Sequence, residues 1–277
     1  MLAKEEKQMQ DSINKFRIVL GLMLTTILVG GELFTVWARS ESEDLSVPPA
    51  IAGSSFSRPT AAAVQNLDPA KVAAAIKANG QALKAFIWQQ RLQMQLKGET
   101  KKTTLNQMNY DVNGNLQKTL LSEQPAPDAA PPPSGGGRLR GRVKQKVVSK
   151  KKGEFKGMME GIAALVKSYT ELQPQQLQSA LKQAAFSPGQ GDMNGSVQIQ
   201  MANLLQQNDS LTIWIDEGTL LFRKIAIVSS YDHKPVTATA NYSMLPSGQA
   251  YMAQAIVNYP EKQVVVEINN LNYQNAQ

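Results

Sequence analysis

SVQIQM (196–201), LTIWID (211–216), TLLFRKIAIVSSY (219–231), PVTATANYSML (235–245), AYMAQAIVNY (250–259) and KQVVVEINNLNY (262–273) decide the fold. Short segments that stop and reverse a strand separate them: NDS, DEG, DHKP, PSG and PEK. Ile213 and Ile215, then Val236 to Tyr242, then Val264 to Ile268 keep the two-residue spacing that sends alternate side chains to one face of a sheet. Six such runs in succession predict an antiparallel meander. A sheet with one apolar face needs a cover, which the preceding half of the chain has to supply.

Working upstream, Asp68-Pro69 reads as a helix start, with Asp as N-cap and Pro in the first turn. Val72, Ile76, Asn79, Leu83 and Phe86 follow at steps of three and four, a stripe fit to lie on a sheet. FIWQQRLQMQL (86–96) alternates, KKTTLNQMNYDV (101–112) follows Gly98, and Asn113-Gly114 predicts a hairpin into NLQKTLLSE (115–123), with positive φ at both central residues. PAPDAAPPPSGGG (125–137) excludes a helix or an inner strand. Phe155, Met158, Met159, Ile162, Leu165, Val166 and Tyr169 then recur at helical spacing, and a second helix opens at Pro174 with Leu177, Leu181 and Ala184. The fold class expected is α+β: an antiparallel sheet of about eight to nine strands, covered by an N-terminal helix and two helices inserted mid-chain. One domain spans 68–274, with a Pro/Gly-rich and basic insert at 123–153.

Charge is local. The chain carries a net +7 over 277 residues, yet residues 138–156 hold nine basic groups and one acid, so the remainder sums to about −1. Arg138, Arg140, Arg142, Lys144, Lys146, Lys150, Lys151 and Lys152 are either the solvated lead-in of a helix or a contact to an anionic membrane surface or cell-wall polymer. No aromatic residues interleave with these lysines, which argues against nucleic acid.

The absence of cysteine excludes disulfides, thiolate metal sites, a cysteine nucleophile and a lipid-modified N-terminal cysteine. IVLGLMLTTILVGG (18–31), preceded by Lys15 and Arg17, reads as a secretory signal cleaved after Ala38 or as an uncleaved membrane anchor. Both readings place the remainder outside the cytoplasm, periplasmic or tethered to the inner membrane. Residues 39–67, rich in Ser, Pro, Ala and acid, read as a disordered tether.

No catalytic motif is present. His233, the single histidine, falls in the DHKP turn, and Asp216-Glu217 falls in another, where acids serve backbone conformation. Walker, G-x-S-x-G, H-E-x-x-H and dinucleotide patterns are missing, so no enzyme, cofactor or metal is expected.

The order of elements, with the YDVNGNLQK hairpin (110–118) and the closing NYPEKQVVVEINNLNY pair (258–273), resembles the periplasmic lipoprotein-carrier superfamily of the LolA and LolB type. LRGRVKQKVVSKKKGEF (139–155) and SLTIWIDEGTLLFRKIAI (210–227) look like a family of exported bacterial proteins with no assigned role. The carrier resemblance implies that the antiparallel sheet is curved into a half-barrel. It also implies that a lipid, lipoprotein or other hydrophobic ligand is sheltered on its apolar concave face beneath movable helices, each buried methylene contributing about 0.8 kcal/mol. The lining it implies comprises Phe86, Trp88, Leu92, Phe155, Met158, Met159, Ile162, Ile213, Ile215 and Phe222. These side chains could equally close on one another as a dry core, and the Met158-Met159 pair is the best suited to an irregular ligand. The alternative function is a non-catalytic structural or interaction module of the cell envelope that grips an anionic surface through the basic insert.

Overall fold

The computed structural model describes residues 69–125, 138–170 and 174–276. The signal or anchor, the tether and most of the Pro/Gly-rich segment lie outside them. In chain order the elements are α1 (Pro69–Leu83), β1 (Phe86–Leu96), β2 (Glu99–Tyr110), β3 (Leu116–Pro125), α2 (Arg138–Thr170), α3 (Pro174–Lys182) and β4 (Ala185–Pro188). Then follow β5 (Ser196–Ala202), β6 (Ser210–Asp216), β7 (Phe222–Tyr231), β8 (Lys234–Met244), β9 (Ala250–Tyr259) and β10 (Val264–Asn275).

The strands form one open sheet in the order β3-β2-β1-β10-β9-β8-β7-β6-β5-β4, antiparallel throughout. The expected α+β class and meander are present, with ten strands among the described residues rather than about eight to nine. The added edge strand, β4, is four residues long and ends in Pro188, too short for periodicity to mark and placed where a missing N–H does no harm. The pairing of β1 with β10 joins the start of the domain to its end, Leu92 opposite Ile268. Register shifts at Ile87/Gln89, Leu105/Asn106, Trp214/Ile215 and Asn241/Tyr242 each bend a strand, and the sheet curves accordingly.

Two hairpins use two-residue turns with positive φ at both positions: Lys97-Gly98 (56° and 76°) and Asp232-His233 (51° and 57°). Their twist matches that of the flanking strands. Asn113-Gly114 does not make such a turn, for only Gly114 (φ 80°) is left-handed. Instead Asp111 organises a longer connection, its carboxylate accepting from the backbone N–H of Asn113 (2.9 Å) and Asn115 (2.8 Å). These bonds, that from Asn115 first, hold its pKa below the ordinary carboxylate value.

The basic run is not a lead-in to the helix but its first half. α2 runs unbroken for 33 residues from Arg138, about 50 Å. Lysine and arginine are good helix formers and no proline interrupts the segment, which explains the extension. The side chains of Arg138, Arg140, Arg142, Lys144, Lys146, Lys150, Lys151 and Lys152 lie outside the described residues.

One contiguous core joins α1, α2 and the inner face of the sheet. Val72 and Ile76 from α1, and Met159, Ile162, Ala163 and Val166 from α2, are buried against the inward residues of β5 to β10. The opposite, outer face carries the alternate residues. No helix among the described residues is long and apolar enough to cross a membrane.

Candidate functional site: the helix-covered inner face

Pairing brings Val197, Ile215 and Phe222 into one row and Ile199, Ile213 and Ile225 into the next, so consecutive strands offer aligned apolar rows to the helices. α2 lies over β7. The approach is close because Gly161 has no side chain: a Cβ there would sit 2.3 Å from the hydroxyl of Tyr231 and 2.4 Å from its ring. That ring in turn packs edge-on against Tyr259, centroids 6.2 Å apart.

The C-terminal end of α2 is fastened by polar groups. The Tyr169 hydroxyl, on a buried residue, donates to the Asp209 carboxylate at 2.5 Å and lies 2.7 Å from the Ser229 hydroxyl. Asp209 is itself buried and accepts three backbone N–H bonds, from Leu204 (2.6 Å), Leu205 (2.9 Å) and Gln206 (2.8 Å). A carboxylate so satisfied can remain buried without a cationic partner. Burial, and then the bond to Asp209, raise the Tyr169 pKa and keep the phenol protonated. Towards the middle of α2 the fastening weakens: Phe155 and Met158 are only half-buried, touching the core without entering it.

α1 is fastened differently. Asn79, the polar member of its stripe, is buried and pairs with the backbone of Ala250 on β9, donating to its carbonyl and accepting from its N–H, both at 2.8 Å. β10 has left β9 by this point, since their ladder ends at Asn269–Gln254. The Asn270 amide donates to the Met252 carbonyl at 2.8 Å in the same stretch. Two side-chain amides thus stand in where the strand pairing has ended, satisfying the N–H and C=O of Ala250 and the C=O of Met252. Sequence reasoning placed Asn79 in the stripe but gave it no task; an amide among apolar helix positions was the available signal.

The space beneath α1 is closed. Ile76, Asn79, Leu221, Phe222, Tyr242 and Ala250 meet with no room for a water molecule between them. The Tyr242 hydroxyl is buried here without a hydrogen-bond partner among the described residues, and burial raises its pKa.

Of the ten residues the resemblance implied as a lining, Leu92, Met159, Ile162, Ile215 and Phe222 are buried in this core, and Phe155, Met158 and Ile213 pack against it. Phe86 and Trp88 are elsewhere. Trp88 stacks on Tyr273 (5.4 Å between centroids, 3° between planes) and contacts Tyr110, while Phe86 and Tyr251 also pack against Tyr273. Burial pushes the Tyr110 pKa up to about 12 and that of Tyr273 well above the ordinary phenol value. Phe86 and Trp88 both fall at the start of β1, at the register shift between Ile87 and Gln89, whereas Leu92 further along the same strand reaches the core.

Among the described residues no three His, Asp or Glu side chains gather as a metal site. His233 occupies an exposed turn, and the Asp216 carboxylate accepts from the N–H of Gly218 and Thr219, a conformational task as the sequence suggested.

No family model matches the chain, and no curated protein matches it. Solved structures that align with it include a domain named for outer membrane lipoprotein sorting from Vibrio parahaemolyticus (9% identity, 72% of this chain and 92% of that one, TM-score 0.33). A LolA superfamily protein from Nitrosomonas europaea aligns at 9% identity over 71% and 93% (TM-score 0.31), and a DUF1329 family protein from Desulfovibrio piger at 8% over 74% and 92% (TM-score 0.31). At these TM-scores the likeness carries no argument about function, which rests on the geometry above.

Proposed function

We propose that this protein is a non-catalytic binding protein for a hydrophobic ligand, a lipid or an acylated protein, acting on the outer side of the cytoplasmic membrane. The observation that carries this reading is the unequal fastening of α2: Tyr169 ties one end to Asp209 and Ser229, while Phe155 and Met158 rest half-buried further along. A helix tied at Tyr169 can part from the sheet around Phe155 and Met158, where its packing is shallower. An alkyl chain entering under Phe155, Met158 and Met159 would replace helix-to-sheet packing with its own, each methylene contributing about 0.8 kcal/mol. Methionine suits such exchange because its side chain adapts to irregular neighbours.

The closed packing around Tyr242 favours a second reading, a structural or interaction module whose core admits nothing and whose basic helix half meets an anionic surface. One experiment separates them. The chain has no cysteine, so Met158→Cys provides a single attachment point for an environment-sensitive fluorophore. Titration of the full chain with lysophospholipid or palmitate should give a saturable spectral shift, abolished by Ile162→Arg. Tyr169→Phe should lower the half-saturation concentration, because the helix lifts more easily. If neither lipid shifts the spectrum and mass spectrometry of the natively purified protein finds no lipid, ligand shelter is wrong. Membrane binding that collapses in moderate salt, where exposed charges are screened within about 10 Å, would then identify the second reading.

A further inference from the structure

The outer face of the sheet, away from α1 and α2, carries a polar row in continuous register. Gln198 on β5 is opposite Trp214 on β6, which is opposite Lys224 on β7. Lys224 is opposite Asn241 on β8, then Gln254 on β9, then Asn269 on β10. Each strand contributes one residue, and at about 4.8 Å per strand the row is about 24 Å long. The Lys224 ammonium lies over the Trp214 ring, 5.3 Å from its centroid.

At the Trp214 end the row opens into a groove of about 490 Å³ that reaches Ser187, Gln190 and Asp192 as well as Gln198 and Lys224. Ligand pockets commonly fall in this size range. Its wall, the segment after β4, is held in place. Arg223 donates to the carbonyls of Asn194 (2.6 Å) and Asp192 (3.0 Å), and Ser196 donates to that of Met193 (2.5 Å). Gly189 is required there, since a Cβ would fall 2.1 Å from the Met193 carbonyl oxygen.

We propose that this row and groove bind a neutral carbohydrate chain, laid across the strands. Three features select that class. The groove is lined by amide, hydroxyl and indole groups with Pro188 and Met193, and its two charges, Lys224 and Asp192, oppose one another. Further along the row Glu267, which accepts from the Gln254 and Asn269 amides, is offset by Arg91, so neither an anionic nor a cationic polymer is favoured. Amide side chains donate and accept together, as sugar hydroxyls do. Trp214 adds an aromatic face for the C–H side of a pyranose, and the strand spacing is close to the length of one sugar unit in an extended chain. The site is on the face opposite α2 and does not depend on ligand shelter there.

The test is isothermal titration of the full chain with a hexamer of β-1,4-linked N-acetylglucosamine and with the matching glucose hexamer. At least one should bind, with affinity weakened at least about tenfold by Trp214→Ala, or about 1.4 kcal/mol. Should Trp214→Ala lose its cooperative thermal melt, Gln198→Ala, which removes a half-exposed amide, should still weaken binding. Failure of both hexamers to bind at millimolar concentration, or binding indifferent to both substitutions, overturns the proposal. So does preferential binding of an extended neutral peptide of the same length.

Discussion

Asn79→Leu separates two accounts of how α1 stays on the sheet. On the stripe alone, with Val72, Ile76 and Leu83 as neighbours, leucine completes an apolar surface and stabilises the domain. The structure predicts the opposite sign. Asn79 carries both hydrogen bonds to Ala250, a residue only 1% exposed, and the packing there leaves no space for water to take over. Leucine leaves a buried N–H and a buried C=O unsatisfied, at about 1–3 kcal/mol each. Its extra apolar burial returns about 1.5–3 kcal/mol at most. Against about 2–6 kcal/mol for the two groups this leaves an expected net loss of about 0.5–3 kcal/mol, or a Tm lower by about 1–12 °C for a domain of roughly 200 residues. Asn79→Asp should cost more, since it keeps the acceptor but sets a buried charge against the Ala250 carbonyl. The assay is urea unfolding with unchanged m-value, alongside calorimetry. A Tm for Asn79→Leu equal to or above that of the parent would refute the claim that this amide replaces a strand.

Glycines in α2 should respond with opposite signs. Gly157→Ala meets nothing within 4 Å and should stabilise by about 0.5–1 kcal/mol through helix propensity, whereas Gly161→Ala forces the Tyr231 ring aside and should destabilise by about 1 kcal/mol net, both read by urea unfolding. Tyr169→Phe should destabilise by about 1.5–3 kcal/mol and raise amide exchange in the last turns of α2, since it removes a bond to a buried carboxylate. Alkaline pH should unfold the protein: burial raises the pKa of Tyr110 (to about 12), Tyr169, Tyr242 and Tyr273, so the folded state holds protons that the unfolded chain releases at about pH 10. Stability should therefore be intact below about pH 10 and fall as pH rises towards 12 and beyond, with tyrosinate absorbance and circular dichroism changing together. Tyrosinate formation well before loss of ellipticity would count against this burial.

The longer strands and the starts of α1 and α3 were legible because they are local. The two-residue alternation of β5 to β10, the stripe of α1 and the breakers between them depend on neighbours a few positions apart, and the structure follows them. The same locality explains the errors. Asn113-Gly114 carries the dipeptide of a tight hairpin, but Asp111 captures the N–H groups of Asn113 and Asn115 and sets a longer loop. Lys97-Gly98 and Asp232-His233 make the tight turns instead, because the register of strands already paired demands two residues there.

From its residues alone the chain determined an antiparallel sheet with one apolar face and amphipathic helices to cover it, since periodicity is enough to say which side chains must leave water. Only tertiary structure decided which of those side chains meet. The β1–β10 pairing, the Asn79 and Asn270 amides standing where β10 departs, and the removal of Phe86 and Trp88 from the core join residues more than a hundred positions apart in several cases. Spacing along a sequence carries no information about such meetings, because each depends on how far every intervening strand has twisted and bent.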